Sequence, residues 1–387
     1  MNKKELELYI HIPFCVRKCS YCDFLSAPAT EQTREAYMAA LFAEIGGRAK
    51  DYSDRTVTSI FIGGGTPSLL SGEQIGQLMD RIREQFAMAQ DAEITMEVNP
   101  GTASAEKLRN FYTAGINRLS IGMQSAQAEE LKKLGRIHDF EGFCQVYREA
   151  VEAGFTNINV DIMSGLPGQT LASYRDTLEK VLHLEPMPQH ISAYSLIVEE
   201  GTPFAAMAER GELPLPEEET ERAMYEETIE VLAKYGFHRY EISNYARDGY
   251  ECRHNVGYWI RRDYLGFGIG AASLIDNVRF QNEKSLGAYL AHPLESREEE
   301  QTLTVQDRME ETMFLGLRLT RGVSCVDFAE QYGRTVEEVY GEVIARNVAD
   351  GLLTVTERKE NQKKDRFLAL TKRGLDLSNY VMAQFLF

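Results

Sequence analysis

Residues 8–22 read LYIHIPFCVRKCSYC, and this stretch decides the expected fold. Its first five residues are β-branched, apolar or aromatic, which predicts a strand that ends just before the cysteines. Cys15, Cys19 and Cys22 follow on one loop with C-x3-C-x2-C spacing. Iron–sulfur clusters are held by thiolates, and a cubane with only three protein ligands keeps its fourth iron open for an exogenous ligand. The stretch therefore predicts a strand that delivers three ligands to a cluster.

Structural zinc is the alternative interpretation of this loop, because Cys3His sites are common and His11 lies nearby. His11 belongs to the strand pattern, however, and the second Cys/His pair typical of zinc knuckles is missing. The other cysteines, Cys144, Cys252 and Cys325, are scattered, and we expect them to be small buried hydrophobic residues. The cluster is the favoured interpretation.

Composition limits the classes of function. The chain has 387 residues, of which 43% are hydrophobic and 26% charged, as in ordinary globular proteins of two or three units. A net charge of -17 would repel a phosphate backbone, so we expect no nucleic-acid partner. We expect no signal peptide and no transmembrane segment, because no stretch approaches ~18 continuous apolar residues. Few, clustered cysteines indicate a reducing, cytoplasmic location.

Strand-like runs alternate with helical segments through the first half of the chain. The six runs are LYIHI (8–12), TSIFI (58–62), EITMEV (93–98), RLSIGM (118–123), NINVDI (157–162) and ISAYSLIV (191–198). Between them, apolar residues return at three- and four-residue spacing, as in GEQIGQLMDRIREQF (72–86). Six such units predict an α/β fold with a parallel sheet curved into a partial (βα)6 TIM-like barrel, with working residues at the carboxyl ends of the strands.

The chain is expected to divide into two parts. Residues 1–295 would form the barrel domain, including an extension from about 200 to 295, because the composition changes near Pro293. Residues 304–387 read as three helices, a strand, a polar turn and a second strand. This order predicts a mainly helical, winged-helix-like C-terminal domain.

Further candidate binding residues follow other strand runs. The turn GGGTP (63–67) lets backbone N–H groups approach a carboxylate or phosphate closely. The guanidinium of Arg136 can donate two parallel hydrogen bonds to a carboxylate, while the side chains of Gln124 and Asp161 can hydrogen-bond ribose hydroxyls. Taken singly, such residues are also common helix caps and turn residues, so both interpretations stay open.

Taken together, the motifs resemble the radical-SAM family of oxygen-independent coproporphyrinogen III oxidase-like proteins. The resemblance rests on Tyr9 six residues before Cys15, the CVRKCSYC loop, GGGTP, MEVNP and LGRIH, and it extends over essentially the whole chain. It implies a [4Fe-4S] cluster whose open iron is chelated by S-adenosylmethionine (SAM), the source of a 5'-deoxyadenosyl radical on reduction. An electron donor such as flavodoxin or ferredoxin is implied as a partner.

The resemblance also implies the residues that contact these cofactors. Cys15, Cys19 and Cys22 would hold the cluster. The residues implied for SAM are Tyr9, Tyr21, Gly64, Gly65, Thr66, Glu97, Gln124, Arg136 and Asp161. Among them, the glycine turn with its threonine corresponds to the segment that faces the SAM amino group.

Within this family, the residue at position 24 and the segment 254–259 resemble those of the HemW subgroup, whose members are heme chaperones. The catalytic members carry a further cysteine two residues past the third, where this chain has Phe24. Residues 254–259, HNVGYW, match the HNxxYW motif of the subgroup and include the single tryptophan of the chain. A neutral imidazole can ligate heme iron, and aromatic rings can pack on the macrocycle. The implied heme contacts are His254, Asn255, Tyr258 and Trp259.

The alternative interpretation of the HNVGYW segment is a buried aromatic cluster with a hydrogen-bonded histidine. Two functions follow from the resemblance. The first is a heme-binding protein that passes heme to an unidentified acceptor protein, which Phe24 favours. The second is the SAM-dependent oxidative decarboxylation of coproporphyrinogen III to protoporphyrinogen IX, which the complete set of SAM residues favours. A purely structural iron–sulfur or zinc protein would leave the GGGTP turn and Arg136 without a role.

Overall fold

The computed structural model describes residues 4–295, 297–360 and 363–386. Its first half is an open barrel of six parallel strands in chain order, with one or two helices between successive strands. The elements are β1 (Lys4–Ile12), α1 (Glu31–Arg48), β2 (Arg55–Gly64), α2 (Gly72–Gln85), β3 (Ala87–Val98), α3 (Ala105–Thr113), β4 (Arg118–Gln124), α4 (Ala128–Leu134), α5 (Phe140–Ala153), β5 (Ile158–Ser164), α6 (Leu171–Leu182) and β6 (His190–Ser195). The partial (βα)6 barrel predicted from the sequence is confirmed.

Local sequence explains where several of these helices begin. Ser71 caps α2 by accepting from Gln74 N at 3.1 Å, while the side chain of Gln74 accepts from Ser71 N at 2.9 Å. Thr170 and Ser173 form the same capping box at the start of α6. Within the described parts of the chain, no helix combines the length and the apolar composition needed to cross a bilayer.

The strands present alternate residues to the two sides of the sheet. On β4, Leu119, Ile121 and Met123 pack in the hydrophobic core between the sheet and the helices. The alternate residues of β4, from Arg118 to Gln124, face a cavity inside the barrel. Closed TIM barrels fill this space with branched apolar side chains. A polar interior instead leaves space for a ligand.

Shorter strands extend the barrel sheet at both edges to twelve strands. The added elements are α7 (Pro203–Glu209), α8 (Glu218–Lys234), β7 (His238–Arg239), β8 (Asn244–Ala246), α9 (Arg253–Trp259), β9 (Tyr264–Phe267), β10 (Ala272–Ile275), β11 (Val278–Asn282), α10 (Leu286–Ala291) and β12 (Arg297–Thr302). β9 pairs parallel to β1, whereas β10, β11 and β12 follow antiparallel. The sequence predicted an extension over this region but not its edge strands, because strands of two to six residues carry too little periodicity.

The C-terminal part has its own hydrophobic core, which includes Met313, Phe328 and Leu368. Its elements are α11 (Val305–Gly316), β13 (Val323–Ser324), α12 (Cys325–Tyr332), α13 (Val336–Ala349), β14 (Leu353–Glu360), β15 (Lys363–Leu370), α14 (Lys372–Asp376) and α15 (Ser378–Ala383). The strands form a three-stranded antiparallel sheet in the order β13-β15-β14. This arrangement confirms the winged-helix-like fold, while the boundary between 295 and 304 stays a prediction.

A buried ion-pair network joins the two parts. Glu311 on α11 accepts from Arg261 Nε at 2.8 Å and from Arg279 Nη1 at 2.7 Å. The side chains of Glu311 and Arg261 are only 7% and 4% exposed. Removing one partner of a buried pair leaves the remaining charges uncompensated. The contact therefore stabilises the C-terminal part against the barrel.

We predict that Glu311→Gln lowers the free energy of unfolding by about 3 kcal/mol, because two arginines lose their carboxylate. Urea unfolding measures this change. Glu337→Gln is the matched control, since Glu337 pairs with Arg366 at 2.7 Å on the surface. The control should lose less than about 1 kcal/mol. Equal losses in the two variants would show that the Glu311 network contributes no more than a surface pair.

Candidate cofactor site

A cavity of about 490 Å³ lies inside the barrel and opens at the carboxyl ends of the strands. All three clustered cysteines and eight of the nine residues implied for SAM line it: Tyr21, Gly64, Gly65, Thr66, Glu97, Gln124, Arg136 and Asp161. Tyr9 is the exception, since it packs behind Phe61 with ring centroids 6.4 Å apart. Motifs that are far apart in the sequence thus meet at one site.

The cysteine loop is anchored at its outer side by the LGRIH segment. Ser20 N donates to Leu134 O at 3.0 Å, and Arg17 Nη2 donates to Gly135 O at 2.8 Å. These carbonyl groups belong to the end of α4, so the helix end fixes the loop. The structure therefore gives LGRIH a role beyond placing Arg136, because its backbone holds the thiol-bearing loop in position.

Hydrogen-bond donors surround the thiols. The hydroxyl of Thr66 donates to Cys15 Sγ at 3.4 Å, and Arg136 Nη1 donates to Cys19 Sγ at 3.8 Å. Burial raises the pKa of the Cys22 thiol, and the neighbouring Cys19 and Cys15 raise it further. A bound metal centre reverses this effect, because it favours the thiolate. The donor set suits thiolate ligands whose sulfurs accept hydrogen bonds.

The same residues do not suit a zinc site completed by His11. The ring of His11 is fully engaged, with Nε2 2.9 Å from Leu25 O and Nδ1 3.0 Å from the hydroxyl of Tyr9. Across the described ranges, no three His, Cys, Asp or Glu side chains are grouped to hold a single metal ion. A cubane binds each thiolate to a different iron, so its ligands need not converge on one point. The site fits a cluster better than mononuclear zinc.

The glycine turn lies directly against the cysteine loop. Gly65 N donates to Ile12 O at 2.8 Å, and a Cβ on Gly65 would lie 2.7 Å from Phe14 O. Gly64 has φ of 114°, a conformation that favours glycine, and its N–H donates to Glu97 Oε2 at 3.0 Å. A side chain at Gly65 would push the loop away, and one at Gly64 would collide with the ring of His11. The close approach explains why this turn consists of glycines.

Two half-buried carboxyl groups, of Glu97 and Asp161, face the cavity. Burial, reinforced by the charge of Asp161, raises the pKa of Glu97 to about 8. Burial also raises the pKa of Asp161. The hydrogen bond of 2.6 Å that Asp161 accepts from Asn159 Nδ2 acts in the opposite direction and lowers it. Buried acids beside open space attract a cation that neutralises them. The sulfonium and ammonium groups of SAM are such cations.

Gln124 is held at the end of β4 in an unusual conformation. Its φ of 69° lies in the left-handed region, which non-glycine residues rarely adopt. The hydroxyl of Tyr194 donates to Gln124 Oε1 at 3.0 Å, and Arg136 Nη2 donates to Gly122 O at 2.7 Å beside it. Such strain is concentrated at functional sites. The amide is therefore fixed in the cavity by its surroundings.

The sequence interpretation missed the residues that line the deeper part of the cavity. They are Arg118, Ser120, Asn159, Ser192, Tyr194, Ser243 and Asn244. On β4 and β5, several lie two or four positions before Gln124 and Asp161, and therefore on the same face. Counting back by two from Gln124 and Asp161 leads to Arg118, Ser120 and Asn159, but only once the inward face of each strand is known.

The structure separates the four residues implied for heme. His254 is 1% exposed, with Nδ1 2.8 Å from Ser59 Oγ and Nε2 3.1 Å from the hydroxyl of Tyr258. Burial lowers its pKa to about 3, so the ring is neutral. In this conformation neither ring nitrogen is free to bind an iron. Ligation by His254 stays a prediction that requires movement of α9, and the alternative interpretation, a hydrogen-bonded histidine in an aromatic cluster, describes the observed geometry.

Helix α9 instead reaches from the first cavity to a second one. The carboxylate of Glu93 on β3 accepts from the backbone N–H of His254 at 3.2 Å and so fixes the start of the helix. Asn255 lines the first cavity, whereas Trp259 lines a cavity of about 760 Å³ against the C-terminal part. The guanidinium of Arg318 lies 4.3 Å from the centre of a ring of Trp259. The heme motif therefore contacts two separate spaces.

A three-cysteine loop after the first strand of a partial barrel, facing a glycine turn, is typical of the radical SAM class. The family model described as Radical SAM superfamily matches residues 9–181, and that of the HemN C-terminal domain matches residues 303–377. Radical SAM proteins use a [4Fe-4S] cluster and SAM, so the family implies both cofactors. The fold and the site agree with this class.

Relatives narrow the family. The chain is 39% identical to the heme chaperone HemW of Bacillus subtilis, over 98% of each protein. It is 37% identical to HemW of Escherichia coli, over 90% of this chain and 92% of that protein. The solved structure of coproporphyrinogen III oxidase (HemN) from Escherichia coli, described in its title as a radical SAM enzyme, matches with a TM-score of 0.84 at 28% identity, over 100% of this chain and 91% of that one. The chain belongs to the HemW family of radical SAM proteins, which confirms the resemblance seen in the sequence.

We predict that Cys19→Ser abolishes the cluster, because only three local thiolates are present to hold it. Iron and sulfide analysis after anaerobic reconstitution should give about four of each per wild-type chain and almost none in the variant. Cys144→Ser is the control, since Cys144 lies outside the cavity. Full iron and sulfide content in Cys19→Ser, or one zinc without sulfide in the wild type, would overturn the assignment.

We also predict that SAM binding depends on pH through Glu97. Its pKa of about 8 means that it is protonated below that pH and becomes a carboxylate above it. Because the carboxylate attracts the cationic cofactor, SAM affinity should rise from about pH 6 to about pH 8 and then level off. Calorimetry on reconstituted protein measures the profile. Glu97→Gln should flatten it, whereas Glu106→Gln on the exposed side of α3 should not. A flat wild-type profile would contradict the prediction.

Proposed function

We propose that this chain is a radical SAM-type [4Fe-4S] protein that binds heme and passes it to an acceptor protein in the cytoplasm. The observation that carries the proposal is the identity of 36% to 39% with proteins named heme chaperone HemW, over nearly the full chain for two of them. All six cysteines are free, in keeping with a reducing compartment.

The chain's own residues account for the cofactor part of the proposal. Cys15, Cys19 and Cys22 would hold the cluster, while Glu97 and Asp161 would neutralise the positive charges of SAM. When bound, this pair of cofactors supplies one-electron reductive chemistry. An electron donor such as flavodoxin or ferredoxin is the partner that we propose for it.

Phe24 favours a heme carrier over an enzyme that decarboxylates coproporphyrinogen III. Its side chain is 59% exposed and lines the entrance side of the first cavity, beside Cys22. The oxidase-like enzymes that the chain resembles have a cysteine at this place. A phenyl ring provides neither a thiolate ligand nor a proton donor. The decarboxylation chemistry therefore lacks one of its groups here.

The second cavity is the heme position that we propose. Trp259 contributes aromatic surface to it, with Phe328 and Phe367 packed in its wall. Arg321 and Lys364 contribute positive charge, beside the acidic residues Asp327, Glu330 and Asp365. Flat apolar rings suit a macrocycle, and cationic side chains suit its propionates. This placement uses the tryptophan of the HNVGYW segment without requiring His254 to leave its hydrogen bonds.

Coproporphyrinogen III oxidation is the second candidate function. It is favoured by the full-length similarity to the HemN structure, with a TM-score of 0.84, and by the SAM residues that line the first cavity. The distinguishing test supplies reconstituted protein with SAM, reductant and coproporphyrinogen III. We expect no protoporphyrinogen, and we expect heme loaded on the protein to pass to apomyoglobin, used as a probe acceptor. Formation of protoporphyrinogen would favour the enzyme instead.

We predict that Trp259→Leu weakens heme binding about tenfold, because the macrocycle loses an aromatic packing surface. Heme titration followed by absorbance measures the affinity, and iron and sulfide content should stay unchanged. Tyr380→Leu is the control, since Tyr380 is a surface aromatic residue, 60% exposed, outside both cavities. Wild-type affinity in Trp259→Leu would contradict the second cavity as the heme position.

The same heme titration on His254→Ala tests iron ligation. Unchanged heme affinity in this variant would eliminate His254 as the iron ligand.

A further inference from the structure

Arg118 is a buried cation for which the described part of the chain supplies no hydrogen bond to its side chain. It is the first residue of β4, its side chain lines the first cavity, and only 2% of the residue is exposed. Among the described residues it has no hydrogen-bond acceptor, and its Nε is a buried donor without a partner. A guanidinium carries five N–H donors, and leaving them unpaired in the interior is costly. A ligand in the cavity that offers an acceptor would satisfy this guanidinium.

The polar neighbours of Arg118 are already satisfied by one another. Asn159 Nδ2 donates to Ser120 Oγ at 2.8 Å and to Asp161 Oδ1 at 2.6 Å. On the next strand, Ser192 Oγ donates to Asn244 Oδ1 at 2.6 Å. The network is closed without Arg118. Arg136, Arg247 and Arg318 also have a buried Nε without a partner among the described residues, but each forms another polar contact through Nη. No such contact is seen for Arg118 in the described residues.

The carboxylate of Glu93 does not satisfy Arg118 either. Its two oxygens accept from the backbone N–H groups of Arg253 at 3.1 Å and His254 at 3.2 Å. Glu93 and Asp161 act on Arg118 through their charge alone. Arg55 is the contrast within this chain, because it is equally buried, at 3% exposed, and ion-paired with two aspartates.

We propose that the deep part of the first cavity binds the carboxylate of an organic acid and that Arg118 anchors it. The planar fork of a guanidinium matches a carboxylate with two parallel hydrogen bonds. Asn255 lines the same cavity and offers an amide to the remainder of the acid. The inference stands apart from the proposed heme position, which lies in the second cavity.

The position of Arg118 separates this carboxylate from that of SAM. The Cα of Arg118 precedes that of Gln124 by six residues on β4, about 20 Å along the strand at ~3.3 Å per residue, while its guanidinium lies close enough to Asp161 for their charges to interact. The cysteine loop lies at the Gln124 end of the barrel, so a carboxylate that chelates the cluster lies nearer to Gln124 than to Arg118. Two kinds of molecule could supply the carboxylate that Arg118 binds: a tetrapyrrole, through a propionate arm, or a small free dicarboxylic acid.

The test uses protein reconstituted with iron and sulfide and saturated with SAM. Calorimetry compares succinate, coproporphyrin III and coproporphyrin III tetramethyl ester as probes. We expect wild type to bind one of the two acids, and Arg118→Gln to weaken that binding about tenfold to a hundredfold, the range for a lost charge-assisted pair of hydrogen bonds. Arg118→Lys keeps the positive charge but cannot form two parallel hydrogen bonds, so its affinity for the acid should lie between those of wild type and Arg118→Gln. Tight binding of the ester would show that the carboxylate is not what the site recognises.

Arg55→Gln is the matched control, since it removes a buried guanidinium that has partners; it should alter stability and leave acid binding unchanged. Succinate binding that depends on Arg118 identifies a small acid, whereas dependence with coproporphyrin III alone identifies a propionate. If neither acid binds in an Arg118-dependent manner, the inference is wrong. If acid binds through Arg118 while heme binds nowhere on the protein, the inference stands and the heme proposal fails.

Discussion

The close contact between the glycine turn and the start of the cysteine loop is the constraint on which the site depends. A side-chain atom on Gly65 would collide with Phe14 O, and Gly64 adopts a backbone conformation that favours glycine. This contact brings the end of β1 and the end of β2 together, so that the thiols and Glu97 share one cavity. Parallel strands supply the remaining side chains, because their carboxyl ends meet at one edge of the barrel.

Elements with strong local periodicity were predictable from the sequence. The six parallel strands and helices such as α12 were anticipated because apolar spacing is a local property. The edge strands β7 to β12 were not, because they contain two to six residues and their pairing depends on distant partners. The pairing of β9 with β1, for example, joins segments more than two hundred residues apart.

Motif spacing anticipated most of the site, because the order of strand ends follows the order of the chain. The spacing of the motifs did not reveal which candidate side chains are buried and already hydrogen-bonded. His254 was recognised as a candidate ligand, yet its hydrogen bonds to Ser59 and Tyr258 depend on how α9 packs on β2. Arg118 was overlooked for a related reason: strand alternation is visible in the sequence, but the side of β4 that faces the interior becomes known only when the barrel forms.

The central claim is that three cysteine thiolates hold one cluster and leave an iron open to SAM. Electron paramagnetic resonance of the reconstituted, reduced protein tests this claim most directly. A [4Fe-4S] signal should appear, and its g-values should shift when SAM is added, because a new ligand binds the open iron. A signal that is identical with and without SAM, in protein shown by calorimetry to bind SAM, would contradict the account.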